Sequence, residues 1–322
     1  MDNKNTFPRA YAAYNKDIDI RNVSTSGGVF SIFASYFIKS GGCVFGAAFD
    51  DKFNVVHIEI DKIEDIGKLR GSKYPQSSMG SIFISVKKKL EENKLVLFSG
   101  TPCQIEGLKL FLYNTNKEKL FCMDFVCHGV ASKLLWREYV NELNKSGKIE
   151  NIVFKSKLKG WKKWYFKVQY RGGEVYQIRG SMNMFMRSYL EYCNIRPSCY
   201  ECKFKGLKRV ADFTISDCWG IAEKNKMIND NKGLSAVIIQ NERAMDIFEK
   251  VKDYMVSIEY DPMILMNGNW TMFKSVVKNP VRTKFFESIN DVGVIDSLTY
   301  FFRPSYKKWI KYYIYRFIGK EK

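Results

Sequence analysis

The chain has 322 residues, 46% of them hydrophobic, enough for a packed core and for two coupled domains. An aromatic share of 15%, ordinary glycine and proline counts, and no apolar run near about 18 residues exclude a disordered, collagen-like or helix-spanning membrane chain. The formal net charge of +18 fits a lysine-rich soluble surface or an anionic partner: an acidic electron carrier, an anionic coenzyme or substrate, nucleic acid or an acidic membrane. No finger, RNP or basic-zipper motif is present, so nucleic acid is not expected as a partner.

Met1-Asp2-Asn3-Lys4-Asn5 lacks the apolar core of a signal peptide, so the expected compartment is a reducing cytoplasm. There, eight cysteines favour metal or redox chemistry over structural disulfides.

Tyr11 to Ile20 reads as a short strand and a turn. Ser24 to Gly28 then enters a mostly buried helix from Val29 to Ile38, with hydroxyls as N-caps and Gly41-Gly42 as its stop. Cys43 to Phe49 reads as a buried strand and Phe53 to Ile60 as its hairpin partner. The polar loop Leu69 to Ser77 precedes a helix from Ile82 to Glu92. Leu95 to Phe98 is a short strand ending in Ser99-Gly100-Thr101-Pro102-Cys103-Gln104, with a helix from Ile105 to Leu112. Lys119 to Val126 is the next strand, closed by Cys127-His128-Gly129, with a helix from Lys133 to Asn144.

This strand–turn–helix repetition predicts a parallel α/β core whose ligands sit at the carboxyl ends of strands, where Cys103 and Cys127 fall. Trp164 to Ile178 reads as a hairpin, turning at Arg171-Gly172-Gly173-Glu174. A helix from Met182 to Tyr192, a strand from Ser235 to Gln240 and a helix from Glu242 to Lys252 follow, and Asp261 to Val281 reads as irregular.

The eight cysteines are Cys43, Cys103, Cys122, Cys127, Cys193, Cys199, Cys202 and Cys218. Cys43 and Cys122 lie inside apolar strands and read as small buried hydrophobes. Cys199-Tyr200-Glu201-Cys202 can grip one metal centre from a single tight loop, as zinc, an iron–sulfur cluster or a redox pair would use it. Two sets of four ligands include it. One adds Cys103 and Cys127, displayed on Gly/Pro-containing turns; the other is local and adds Cys193 and Cys218. Spacing leaves both open.

Six blocks occur in order: Ser26-Gly27-Gly28, Arg70-Gly71-Ser72-Lys73-Tyr74, Gly100-Thr101-Pro102-Cys103-Gln104, Asp124-Phe125-Val126-Cys127-His128-Gly129, Cys199-Tyr200-Glu201-Cys202 and Ala211-Asp212-Phe213-Thr214. The series resembles the beta-subunit family of coenzyme F-420 (deazaflavin) hydrogenases and dehydrogenases, over roughly residues 10 to 250. The resemblance implies an iron–sulfur flavoprotein with a [4Fe–4S] cluster on Cys103, Cys127, Cys199 and Cys202, leaving Cys193 and Cys218 as neighbours. The chain lacks the ferredoxin-like module that some members carry, so a separate ferredoxin-like electron donor is expected.

The remaining blocks suit FAD or FMN. Ser26-Gly27-Gly28 places backbone N–H groups at a helix N-terminus, a cradle for phosphate. Arg70, Ser72 and Lys73, with Gly71 as a flexible point and Tyr74 beside them, offer donors to a flavin phosphate. Thr101 and Gln104 are placed to donate to a ring edge, and Asp212 and Asp217 to bind a ribityl hydroxyl or order the cluster loop. His128 is the candidate proton relay, while His57 reads as structural.

At the C-terminus Tyr306, Trp309, Ile310, Tyr313 and Phe317 recur at helical spacing among Lys307, Lys308, Lys311 and Arg316. Such a helix suits an anionic membrane surface or packs on the body with its lysines outward.

The expected fold is α/β, a mixed and largely parallel sheet core with a β-hairpin and an iron–sulfur-binding C-terminal part. The expected parts are 10–95 with flavin contacts, 96–290 with the cluster, and a basic aromatic tail helix over 297–322. The expected function is electron transfer from a carrier such as ferredoxin through the cluster and flavin to the deazaflavin coenzyme or another small organic acceptor. The alternative is a zinc-stabilised binding protein, with Cys193, Cys199, Cys202 and Cys218 closing the site and the basic surface holding an anionic partner.

Overall fold

The computed structural model describes residues 6–221, 228–307 and 310. Eleven strands are present among them. They are β1 (Arg9–Asn15), β2 (Cys43–Phe49), β3 (Val55–Ile60), β4 (Val96–Ser99), β5 (Leu120–Phe125), β6 (Ile149–Ser156), β7 (Tyr165–Tyr170), β8 (Val175–Arg179), β9 (Phe213–Asp217), β10 (Ser235–Ile239) and β11 (Met255–Tyr260).

Eight of these form one mixed sheet in the order β11-β1-β10-β9-β5-β4-β2-β3. Its centre, β2, β4, β5 and β9, is parallel, and β3, β10, β1 and β11 extend it antiparallel. The central strands are near-continuous apolar runs because both of their faces are covered, as parallel sheets require.

Period-two alternation sorts the side chains between faces. Val44, Phe121, Met123, Tyr11 and Val237 pack with the helices Val29–Lys39 and Glu242–Val251. Cys43, Phe45, Leu120 and Cys122 pack on the other face with the helices Ile82–Glu91 and Pro102–Phe111. Cys43 and Cys122 are thus core residues, and burial pushes both thiols up to about 12. At the β1 and β10 end that face is closed instead by Ala10, Ala12, Ala236 and Ile238 against Trp161, Leu265 and Met266.

A second layer holds the antiparallel sheet β6-β7-β8 and the helices Lys133–Asn144, Met184–Leu190 and Arg282–Phe302. Trp136, Phe154, Phe166, Phe185 and Phe285 fill its core. The expected hairpin is β7 and β8; β6 adds a third strand that the sequence reading lacks. Strands from both sides of residue 95 share the large sheet.

Two expectations need correction. The helix Val29–Lys39 has no hydroxyl cap: its N-cap is Gly28 at φ 81°, with no side-chain bond. The nearby hydroxyls are engaged elsewhere, Ser24 Oγ donating to Ile20 O, Ser26 Oγ to Leu234 O, and Thr25 Oγ1 accepting from the Ser72 N–H. The segment from residue 297 begins inside the helix Arg282–Phe302, with Leu298 and Phe302 fully buried in the second core. Further on, Tyr306 and Ile310 are exposed. Lys308, Trp309, Lys311, Tyr313, Arg316 and Phe317 lie outside the described residues. Among those described, no helix is long and apolar enough to cross a membrane.

Candidate functional site

A cavity of about 420 Å³ opens at the carboxyl ends of the parallel strands, where open α/β sheets place ligands. Ser99, Phe125 and Asp217, the last residues of β4, β5 and β9, line it, and Ala47 of β2 and His57 of β3 complete that wall.

Two loops build one part of the wall. Ser26, Gly28, Val29 and Phe30 bring the start of the helix Val29–Lys39 to the cavity, so its uncapped N–H groups lie there. Gly27 sits behind them: a Cβ would meet Ala13 O at 2.5 Å, Ser235 N at 2.8 Å and Ser235 Oγ at 2.9 Å. Only glycine lets the loop lie this close to β1 and β10.

Arg70, Gly71, Ser72, Lys73 and Tyr74 line the facing side. Arg70 Nε donates to Ser31 Oγ at 3.0 Å, and burial draws the guanidinium below its ordinary pKa. Lys73 Nζ donates to the carbonyls of Leu69, Arg70 and Gly71, and burial lowers it to about 7. Gly71 has φ 87° with open space around it.

Thr101 and Gln104 line the cavity and form a reciprocal capping box at the helix Pro102–Phe111. Gln104 Oε1 accepts from the Thr101 N–H at 2.9 Å and Gln104 Nε2 donates to Ser77 Oγ at 2.8 Å, so this pair is engaged locally first. His57 Nε2 faces Ser99 O at 3.1 Å, which assigns the proton to Nε2, and its ring stacks on Phe98. Its buried Nδ1 has no partner, and burial lowers the imidazole to about 4.

Cys127, His128, Lys155, Trp164, Asp217 and Trp219 also line the cavity, with Asp217 paired in register with Ser235, whose Oγ accepts from the Gly27 N–H. Lys155 Nζ donates to Asp217 Oδ2 at 2.7 Å, and Trp161 Nε1 donates to Asp217 Oδ1 at 3.1 Å. Burial disfavours the Lys155 ammonium, but the Asp217 carboxylate outweighs it and the pKa is raised. His128 Nδ1 stands 3.4 Å from Tyr192 Oη. Burial, with Lys205 and Lys155 adding repulsion, lowers it to about 4, so its imidazole is neutral at pH 7. Lys155, Trp164, Trp219 and His57 are cavity residues that sequence reasoning does not assign to the site. A lysine inside the otherwise apolar stretch Val153-Phe154-Lys155 is the signal available there.

Asp212 does not line the cavity. Its carboxylate accepts from the Cys122 N–H at 2.8 Å, from Arg243 Nε at 2.9 Å and from Asn241 Nδ2 at 3.1 Å. It ties β5 to the helix Glu242–Val251 at the amino end of β9.

Four thiols lie near one another beside Cys127 of the cavity wall. The Gly129 N–H donates to Cys127 Sγ at 3.4 Å, and a Cβ on Gly129 would stand 3.5 Å from Cys199 Sγ. Cys103 and Cys199 are close enough to raise the Cys127 pKa beyond the effect of burial; Cys103 and Cys202 act likewise on Cys199. Cys103 is exposed, and Cys127, Cys199 and Cys202 are half-buried. Lys205, donating to Cys127 O at 2.8 Å, lies near Cys127, Cys202 and Cys199.

Cys193 and Cys218 are fully buried in different cores, Cys193 with Trp136 and Phe185, Cys218 with Trp161 and Leu234. The local set of four is therefore split. Among the described residues no group of three or more His, Cys, Asp or Glu is gathered to hold a metal ion. A cubane cluster, with its ligands on four separate irons, takes thiolates standing farther apart than one ion does, and four soft sulfurs beside a lysine suit it.

Residues 93–262 match the family model for the C terminus of the coenzyme F420 hydrogenase/dehydrogenase beta subunit. The fold is similar to a chain in the xenon-derivatised F420-reducing [NiFe] hydrogenase complex from Methanosarcina barkeri, with a TM-score of 0.55 at 17% identity. That match covers 86% of this chain and 97% of the other. Among curated proteins the sequence finds no match.

Proposed function

Because the chain belongs to the coenzyme F420 hydrogenase/dehydrogenase beta-subunit family and is an oxidoreductase of that type, we propose that it is an iron–sulfur flavoprotein. The observation that carries the reading is adjacency. Cys127 belongs both to the wall of the cavity and to the group of four displayed thiols. Electrons entering at the thiols would have a short path to a ligand in the cavity.

Cys103, Cys127, Cys199 and Cys202 would hold a [4Fe–4S] cluster, and the cavity FAD or FMN. When bound, the cluster would supply single-electron transfer and the flavin two-electron transfer to deazaflavin coenzyme or another organic acceptor. Around them the chain's own residues do the remaining work. The N–H groups of Val29 and Phe30, with Arg70 and Ser72, would hold phosphate, and Lys73 would order their loop through the carbonyls of Leu69, Arg70 and Gly71. Tyr74, Thr101, Gln104 and Asp217 would border the rest of the ligand. His128, neutral at pH 7, would accept a hydrogen bond from the cavity and relay a proton only by releasing one as it takes another. Asp212 supports the sheet and is not proposed as a contact.

Exposed Cys103, with lysines such as Lys203 and Lys208 on the neighbouring loop, suits an acidic carrier of the ferredoxin type or another protein of a larger complex. A cytoplasmic setting fits oxygen-sensitive thiol ligands. Attachment of the basic tail to an anionic membrane would be reversible, and deletion after Pro304 would release it from anionic vesicles without loss of flavin. The zinc reading is weaker, since Cys193 and Cys218 lie in separate cores.

Anaerobic purification tests the proposal. The expected product is brown, absorbs near 400 nm, and carries about four acid-labile sulfides and one releasable flavin per chain. A colourless protein that binds neither iron nor flavin after reconstitution overturns it, and one zinc without iron moves the reading to the zinc site.

A further inference from the structure

A lysine ammonium carries three N–H donors, and buried donors need acceptors. Lys73 meets the carbonyls of Leu69, Arg70 and Gly71. Lys157 meets those of Arg21, Ser26 and Lys232. Lys205 meets those of Cys127 and Thr271. Lys155 differs. Its side chain is 7% exposed, and among the described residues its one acceptor is Asp217 Oδ2, at 2.7 Å. Two donors of a buried ammonium are left for the cavity that it lines.

The surroundings of those donors are flat. The rings of Trp164 and Trp219, both in the cavity wall, lie 5.8 and 5.5 Å from Lys155 Nζ. Each ring is fixed from behind. Trp219 stacks on Trp161 with centroids 4.3 Å apart and planes 3° from parallel, and Trp161 in turn donates to Asp217. Trp164 lies against Gly180, where a Cβ would come within 1.7 Å of its ring. Asp217 thus orients the ammonium and one indole stack together.

We propose that Lys155 reads the polar edge of a planar heteroaromatic ligand held against Trp164 and Trp219. The acceptor is a ring carbonyl or a deprotonated ring nitrogen. Asp217 balances the ammonium at rest, so a neutral edge is accepted without an unpaired charge. A negative edge is held more tightly, because the bond then joins opposite charges, and Arg70 and Lys155 outnumber Asp217 around the cavity. The inference rests on the flavin reading above and assigns the polar edge of the ring to Lys155.

Equilibrium binding of FMN and FAD to the full chain under anaerobic conditions tests this, with each flavin both oxidised and photoreduced at pH 8, where the reduced ring is anionic. Lys155→Met removes the donors. Because it leaves Asp217 buried without its cation, Lys155→Met/Asp217→Asn is measured beside it, with circular dichroism to confirm folding. The expected result is a loss of about tenfold or more in affinity for reduced flavin, a smaller loss for oxidised flavin, a shift of the bound flavin's visible band, and partial recovery in Lys155→Arg. Equal affinities of wild type and the folded double variant for both redox forms overturn the role of Lys155 and leave the flavin reading standing. Failure of the wild type to bind either flavin removes the flavin reading and this assignment with it.

Discussion

Lys157 Nζ donates to Ser26 O at 2.7 Å and so ties the end of β6 in the small sheet to the glycine loop that closes the cavity. The same ammonium reaches Arg21 O at 2.6 Å and Lys232 O at 2.5 Å. One side chain therefore holds three loop carbonyls in register. Lys157→Met removes these three hydrogen bonds, each worth about 1 kcal/mol net, and leaves only Arg21 O another donor, the Ser24 N–H, among the described residues. The expected outcome is a flavin that dissociates on gel filtration while iron and sulfide stay at wild-type levels. A variant that keeps its flavin would show that the loop's other bonds, Ser26 Oγ to Leu234 O and Gly27 N–H to Ser235 Oγ among them, hold it without Lys157.

Cys103→Ser and Cys127→Ser are expected to abolish stable cluster assembly, because serine lacks the soft sulfur that iron prefers. Cys193→Ser and Cys218→Ser place a hydroxyl in an apolar core and should lower stability by about 1–3 kcal/mol yet keep the cluster. Acid-labile sulfide and the visible spectrum of each reconstituted variant check this. Loss of the cluster in the second pair would return the local cysteine set.

Gly27→Ala puts a methyl against three atoms of β1 and β10, two of them backbone. Destabilisation of about 1–3 kcal/mol is expected, with weakened flavin retention. Gly172→Ala, in a turn with nothing within 4 Å, is the matched control and should be close to neutral. Thermal denaturation of the two variants decides it.

His57 gives a pH signature. Its folded pKa of about 4 lies below the ordinary value of 6.5 because of burial. Above about pH 6.5 neither state holds the proton, and no penalty exists. As pH falls toward 4 the unfolded chain takes the proton first, so stability is lost across that window, by at most about 3 kcal/mol. His57→Gln keeps a donor for Ser99 O without titrating. The urea midpoint of the variant should therefore decline less than that of the wild type between pH 7 and pH 5. Parallel declines would mean that His57 is protonated in the folded protein.

The parts of the fold legible in sequence are those with a strong local period or a clear stop. β2 has the bounds read for it, and Ser132 caps a helix that runs from Lys133 to Asn144 as expected. β6, β9 and β11 do not read as strands. β6 carries Glu150, Asn151 and Lys155 in its sequence, β9 is five residues long, and β11 is a half-exposed edge, so none gives a clean two-residue alternation. The helix Arg282–Phe302 escapes a sequence reading because Gly293, at φ 83°, breaks it in two and no single 3.6-residue period runs through.

At the site, the loops at strand ends are legible because glycine, hydroxyl and thiol residues concentrate there. Which end of a strand meets the ligand is not. Asp212 precedes β9 and braces its amino end against β5, whereas Asp217 ends β9 at the carboxyl end, where the cavity lies. Lys155 and Trp164 reach the cavity from a layer that lies far along the chain from the glycine loop and from Asp217, and only the packing of two sheets brings them together.

The strand order carries a consequence for biosynthesis. β1 is flanked by β10 and β11, so it has no neighbour in the large sheet until residues 235–260 have been made. Gly27 rests against Ala13 and Ser235, and the glycine loop it anchors likewise has no floor before then. The cavity closes only once residues 235–260 exist, as expected for a topology of such long sequence separation. A ligand can settle in the closed cavity only after residues 235–260 have been made, and a chain terminated before them leaves β1 an unpaired strand.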